Sequence, residues 1–192
     1  MNAEERRGEP ALLRREEVYE GKIVRLGLDH VRFPDGSTGT VEMVRHRGAA
    51  AVVPLLDDPG SDDPRILLIR QYRYPAGGFI YEVPAGIPSG EGESWIECAR
   101  RELREETGYQ ARELHPLTRI FTTPGFTDEE VHLFAATGLT EADSARDQDE
   151  FIELVPLRLS EAMTLIRTGE LADGKSVAAL LYVREFFLPS GR

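Results

Sequence analysis

The chain has 192 residues, 41% of them hydrophobic, enough to build the core of one ordinary domain and hardly enough for two. Its 23 Lys and Arg stand against 34 Asp and Glu, a formal charge of −11. That balance argues against a general nucleic-acid binder and against docking on anionic membranes, yet a small phosphate ligand can still be held by a local cation. A lone cysteine, Cys98, excludes an intramolecular disulfide and a thiolate metal site and fits a reducing, cytoplasmic setting. The first ten residues lack the apolar stretch of a secretory signal, and no run approaches the length of a membrane span.

Residues 1–17 mix charges and read as a mobile arm or a short pairing segment. Alternation at 23–28, 30–33 and 40–45, with turn chemistry at Pro34-Asp35-Gly36-Ser37, predicts a hairpin or meander. The run 48–56 is almost wholly apolar and predicts a buried strand. An exposed loop, 57–64, leads to a strand at 65–73. Further strands are expected at 117–122, 131–136 and 151–155. Three helices are expected. The first spans 95–107, opened by a Ser94/Glu97 capping box and stopped by Gly108. The second follows Ser160 and ends before Gly169, and the third covers 176–187. The mixture lacks βαβ alternation, so the predicted class is α+β, a sandwich with helices on a mixed sheet. Residues 1–45 are expected to form an N-terminal arm and β segment, and 46–192 the main domain.

The chemistry lies in residues 84–109, PAGIPSGEGESWIECARRELREETGY. On a helix Glu102, Glu105 and Glu106 stand at i, i+3 and i+4, so three like charges share one face. Ile96, Ala99 and Leu103 fall on another face, available for packing. Such an oxygen-only cluster suits Mg²⁺ or Mn²⁺. The bland alternative is a solvated acidic face screened by Arg100, Arg101 and Arg104. Pro84-Ala85-Gly86 places a glycine just ahead of the helix, where backbone can approach a ligand or ion closely. The histidines His30, His46, His115 and His132 are scattered without ligand spacing, and Cys98 and Trp95 read as packing residues.

Gly86, Glu93 and the run Arg101 to Tyr109 resemble the Nudix hydrolase signature, G-x5-E-x7-R-E-U-x-E-E-x-G-U, where U is a bulky apolar residue. Six residues rather than five separate Gly86 from Glu93. The extra one falls in a loop, and loops absorb insertions, so the helix is expected to be unaffected. The chain is most similar to the ADP-ribose and nucleoside-diphosphate-sugar pyrophosphatases of that family. The similar stretches are Tyr19-Glu20-Gly21-Lys22, Gly48-Ala49-Ala50, Arg70-Gln71-Tyr72-Arg73, Glu82 to Gly86, Thr123-Pro124-Gly125-Phe126, residues 149–153, the 159–169 helix and 173–181. Together they span most of residues 18–187.

The resemblance implies a Nudix-like α/β/α sandwich that hydrolyses the diphosphate bond of ADP-ribose to AMP and ribose 5-phosphate. It implies Glu102 and Glu106 as principal metal ligands, Glu105 as a further one, and the Ala85 carbonyl as completing the sphere around Mg²⁺ or Mn²⁺. Arg101, held by Glu93, would orient the helix face, and Gly86 and Gly108 would serve the motif's backbone. The general base would come from the 141–150 loop, with Glu150 the first choice and Asp149 and Asp147 behind it. Arg73 is the leading phosphate clamp, Arg45 and Arg70 are weaker ones, and Glu82 borders the site. The aromatic positions that grip adenine in similar enzymes match Ile23 and Val41 here, with Tyr19 or Phe33 as contributors. A homodimer with an exchanged N-terminal segment is also implied. Alternatives are another substrate such as GDP-mannose, UDP-glucose or NADH, and a non-catalytic nucleotide-sugar sensor. The segments 82–108 and 141–153 carry −4 and −5 of the formal charge, so the acidity concentrates in the expected metal helix and base loop.

Overall fold

The computed structural model describes residues 9–90, 92–142 and 151–189. Contacts divide the chain into two units, one of residues up to 47 with 121–129, the other of 48–120 with residues from 130 onward.

In the first unit β1 (Ala11–Glu20), β2 (Arg25–Arg32) and β3 (Thr38–Arg45) form an antiparallel sheet in that order. The segment that sequence left as arm or pairing strand is thus a strand from Ala11. Its side chains are exposed on both faces, which is why no alternation announced it. The β2–β3 turn is set by Asp35, whose Oδ1 accepts from Ser37 N at 2.9 Å and Ser37 Oγ at 2.6 Å, with Gly36 at φ 85°. Asp29 is buried on β2 and accepts from Arg15 Nε at 2.9 Å and from Arg45. The Arg15 hydrogen bond, helped by the charge of Arg45, overcomes burial and holds its carboxyl below the usual range. Arg45 also donates to Asp128 Oδ2 at 2.9 Å, and Val44 N donates to Phe126 O at 2.8 Å, which ties residues 121–129 to β3.

The second unit carries β4 (Ala49–Pro54), β5 (Arg65–Arg73), β6 (Gly78–Glu82), β7 (Ala85–Gly86), β8 (Tyr109–Phe121), β9 (Glu130–Glu141) and β10 (Ile152–Arg158). Its helices are α1 (Trp95–Thr107), α2 (Leu159–Thr168) and α3 (Gly174–Tyr182), the last running into a π turn at Val183–Phe187. One sheet has the order β7-β4-β9-β8, with β4 and β9 parallel and β4 and β7 antiparallel. The other has the order β10-β5-β6, antiparallel throughout. A mixed sheet with helices on both faces, beside an antiparallel one, matches the expected α+β sandwich. Strand β6 was not foreseen. It is short and follows the tight turn at Gly77, φ 73°, whose breaker residues masked it.

Every residue of β4 is buried because both of its faces are covered. Ala50 and Val52 pack with Cys98, Ala99, Leu103, Phe134 and Ala136 beneath α1. Ala49, Ala51 and Val53 pack with Leu133, Leu159, Ala162, Leu180 and Val183 on the side of α2 and α3. The period-2 alternation of β4 and β9 thus divides one sheet between two cores. No described helix is long and apolar enough to cross a membrane.

Candidate active site

Helix α1 is positioned by its own sequence. Ser94 Oγ accepts from Glu97 N at 3.4 Å, and Glu97 Oε2 accepts from Ser94 N at 2.9 Å, so the capping box is closed. At the other end Gly108 takes φ 74° and donates to Arg104 O at 2.9 Å. The helix does not bury a purely apolar stripe. Ile96, expected to pack, is 37% exposed, and the inward stripe runs through Cys98, Ala99, Glu102, Leu103 and Glu106. Residues 98, 102 and 106 lie one turn apart and face β7.

Two of the expected metal ligands are therefore interior groups rather than members of a solvated face. Glu102 is 9% exposed and Glu106 is 2% exposed. Ala85 N donates to Glu106 Oε2 at 3.0 Å. The Glu102 carboxylate lies so close over Gly86 that a β-carbon there would meet its Oε1 at 2.0 Å. A glycine at 86 is thus required by the carboxylate opposite it, not by its own backbone angles.

Arg101 is the electrostatic centre of the site. It donates from Nε to Glu93 Oε1 at 2.8 Å and from Nη2 to Glu93 Oε2 at 3.0 Å. Its Nη1 reaches Glu102 Oε1 at 2.7 Å and Glu105 Oε2 at 2.8 Å, and Nη2 also donates to Ile87 O at 3.0 Å. The hydrogen bond to Glu93, against the pull of burial, raises the Arg101 pKa further above an already high value. Ser89 N donates to Glu93 Oε2 at 2.7 Å, so the loop with the extra residue is tied to Arg101 through Ile87 and Glu93, and α1 is undisturbed.

The Arg101 hydrogen bond also draws the Glu93 carboxyl from 4.5 down to about 2. A depressed carboxylate pKa stabilises the fold fully above the unfolded value and ceases to do so as pH falls through the folded one. Glu93→Gln is therefore expected to melt well below the wild type at pH 7, with a gap that closes between about pH 4.5 and 2. Thermal melts of both proteins across that range test this; a gap independent of pH would contradict it.

Cys98 is fully buried and donates from Sγ to Gly86 O at 3.4 Å. Burial, with the charge of Glu102 adding to it, pushes its thiol up to about 12, so it packs as an inert residue. Trp95 stacks on His132 with ring centroids 4.3 Å apart, a packing contact at the start of α1.

A second cluster adjoins the 84–86 segment. Glu82 closes β6 and is 2% exposed. Its Oε2 accepts from Arg73 Nε at 2.7 Å and its Oε1 from Lys175 Nζ at 2.5 Å. Lys175 also donates to Asp173 Oδ2 at 3.0 Å. Asp173 caps α3 by accepting from Ser176 N at 3.0 Å, and Ser176 Oγ accepts from Val83 N at 2.8 Å. Burial lowers the Arg73 pKa, but the Glu82 hydrogen bond and the nearby charge of Glu106 outweigh it and leave it raised.

The structure thus brings Ala85, Gly86, Glu93, Arg101, Glu102, Glu105 and Glu106 together, with Arg73 and Glu82 beside Val83. Arg70 is not with Arg73: three positions apart on β5, an odd number, they point to opposite faces. Arg70 pairs with Glu153 at 3.4 Å and lies 5.0 Å over the Phe79 ring. Arg45 belongs to the first unit and is committed to Asp29 and Asp128. Glu150, Asp149 and Asp147 lie outside the described residues. Lys175, Asp173 and Ser176 lie in the similar 173–181 stretch, but sequence reasoning assigns them no role. The signal was there, since a lysine in the first turn of a helix opposes the macrodipole and needs an anion nearby.

Three carboxylates around the Arg101 guanidinium, with Glu106 one turn beyond Glu102, carry together a formal charge of −3, and all their donors are oxygens. In kind this fits a hard divalent cation. Among the described residues no three carboxylates already converge on one point, and Arg101 Nη1 sits between Glu102 and Glu105.

An acidic helix laid against a glycine-bearing strand, on a mixed sheet with helices on both sides, defines an α+β protein with an all-oxygen site suited in kind to a hard cation. The chain belongs to the NUDIX domain family, whose profile matches residues 45–180. It is 38% identical over 178 residues to a methanol dehydrogenase activator of Bacillus methanolicus, covering 92% of this chain and 93% of that protein. It is 36% identical over 179 residues to an ADP-ribose pyrophosphatase of Bacillus subtilis (strain 168), covering 92% and 93%. A crystal structure of an ADP compounds hydrolase superposes with TM-score 0.79 at 26% identity, covering 93% of this chain and 94% of that one.

Proposed function

We propose that the protein hydrolyses the diphosphate bridge of ADP-ribose, releasing AMP and ribose 5-phosphate, with Mg²⁺ or Mn²⁺ as the metal. The observation that carries this reading is the burial of Glu102 and Glu106 against the Ala85-Gly86 backbone. Burying two carboxylates on one helix costs stability, and a fold keeps such an arrangement where the charges are used. The similarity to the ADP-ribose pyrophosphatase of Bacillus subtilis and to the solved ADP compounds hydrolase supports the same reading.

Glu102, Glu106, Glu105 and the Ala85 carbonyl would hold the divalent cation. When bound, such an ion neutralises diphosphate charge and lowers the pKa of a coordinated water. The chain's own residues supply the rest. Arg101, locked by Glu93, fixes the side chains of Glu102 and Glu105. Arg73 uses Nε on Glu82, and its Nη1 and Nη2 are suited to grip phosphate oxygens in pairs. Glu150 takes a proton from the attacking water as a P–O bond of the bridge breaks.

The proposed assembly is a homodimer exchanging N-terminal segments. Its support is a set of exposed apolar residues in the first unit: Leu12, Leu13, Val18, Tyr19 and Ile23. A monomeric mass by light scattering at micromolar concentration would remove this part of the reading. The cytoplasm is the proposed setting, in keeping with a single, reduced thiol.

A substrate panel tests the specificity. The expected order places ADP-ribose above GDP-mannose, UDP-glucose and NADH in kcat/KM with Mg²⁺ present. A clear preference for one of the others would keep the reaction and replace the substrate.

A further inference from the structure

Glu82 presents a problem of satisfaction. Its carboxylate is almost completely buried and so needs compensation on both oxygens. A guanidinium can supply that alone by turning side-on and donating two parallel hydrogen bonds. Arg73 does not do so. It donates only Nε, to Oε2, and among the described residues its Nη1 and Nη2 have no hydrogen-bond partner. The second oxygen is taken by Lys175 from a different element, the first turn of α3.

That lysine is held for the purpose. A cation in the first turn of a helix meets the positive end of the macrodipole, an unfavourable placement. Two anions offset it: Glu82 on one side and Asp173, the N-cap of its own helix, on the other. The same cap holds Ser176, which accepts from Val83 N, the residue directly after Glu82. The start of α3 therefore fixes both the Glu82 side chain and the neighbouring backbone, 93 positions away in sequence from each.

We infer that Lys175 is a positioning residue that occupies one oxygen of Glu82 so that Arg73 keeps Nη1 and Nη2 for the phosphate oxygens of the substrate. This rests on the reading of Arg73 as a phosphate clamp in a diphosphate hydrolase. Without the ammonium, Glu82 draws the guanidinium into a side-on pair, and the clamp loses a donor. The effect falls on substrate binding rather than on bond breaking.

The test uses the full chain. Lys175→Met is expected to raise KM for ADP-ribose about 10-fold or more, with kcat within about 3-fold of wild type. It is expected to weaken binding of ADP-ribose in EDTA, measured by titration calorimetry, by a similar factor. Lys175→Arg, which keeps a cation, is expected to return KM to within about 3-fold. Because Lys175 acts through Glu82, adding Lys175→Gln to Glu82→Gln should change KM no further than Glu82→Gln alone. That neutral pair leaves no buried carboxylate uncompensated, and it carries the test if Lys175→Met fails to fold by circular dichroism. Unchanged KM and calorimetric affinity in Lys175→Met, or an additional KM increase in the double variant, would overturn the inference while wild-type turnover leaves the enzyme reading intact. Absence of wild-type turnover would overturn both.

Discussion

Glu106→Gln is expected to lower kcat/KM for ADP-ribose by about 10²–10⁴-fold while the melting temperature stays the same or rises. The size follows from removing one charged oxygen donor from a site whose electrostatic stabilisation of a phosphoryl transition state is worth several kcal/mol, at about 1.4 kcal/mol per tenfold. The stability side follows from where Glu106 sits. It is 2% exposed and shares its helix face with Glu102 and Glu105, so burial and like charges weigh against its carboxylate, with the charge of nearby Arg73 offsetting part of that cost. Glutamine keeps the shape, and its amide oxygen can still accept from Ala85 N. A charge that destabilises the fold but serves the reaction is the expected trade at an active site. Steady-state kinetics and a thermal melt on the same preparation check this. A variant with normal activity, or one that loses activity only because it unfolds, would contradict it.

Gly86→Ala is the second large effect and separates geometry from stability. Gly86 is not among the residues with positive φ, so the backbone accepts alanine. The added carbon instead meets Glu102, at 2.0 Å from Oε1 and 2.2 Å from Cδ. That obstacle is the far end of the Glu102 side chain, whose Oε1 accepts from Arg101 Nη1, so making room for alanine disturbs this ion pair. The expected loss of unfolding free energy is therefore about 1–3 kcal/mol, partly offset by the lower entropy of the unfolded chain. The displaced carboxylate no longer lies over the 84–86 backbone, and misplacement by about 1 Å in a reacting constellation costs about 10²-fold. Denaturant unfolding and kcat/KM measured together test the separation. A wild-type rate in Gly86→Ala would show that the Glu102 position is unimportant.

Local rules made some elements readable in advance. Helix α1 is bounded by a Ser94/Glu97 box and by Gly108, and its ends fell where those residues placed them. Strand β4 showed itself as an uninterrupted apolar run because it is covered on both faces. What stayed hidden depends on partners distant in sequence. A helical wheel sorts glutamates outward, and only the missing side chain at Gly86 lets Glu102 turn inward. The Glu82–Lys175 pair spans 93 residues, so no window of sequence contains both. The similarity of their stretch places Arg70 behind Arg73 as a weaker clamp, whereas strand parity puts the two on opposite faces.

The most direct measurement is hydrolysis of ADP-ribose in ¹⁸O-water with Mg²⁺, the products separated and weighed by mass spectrometry. AMP and ribose 5-phosphate are expected in equal amounts, one of them carrying a single ¹⁸O on its phosphate, with no label transfer in excess EDTA. Turnover that persists in EDTA, products cleaved elsewhere than at the diphosphate, or no turnover with either Mg²⁺ or Mn²⁺ would contradict it.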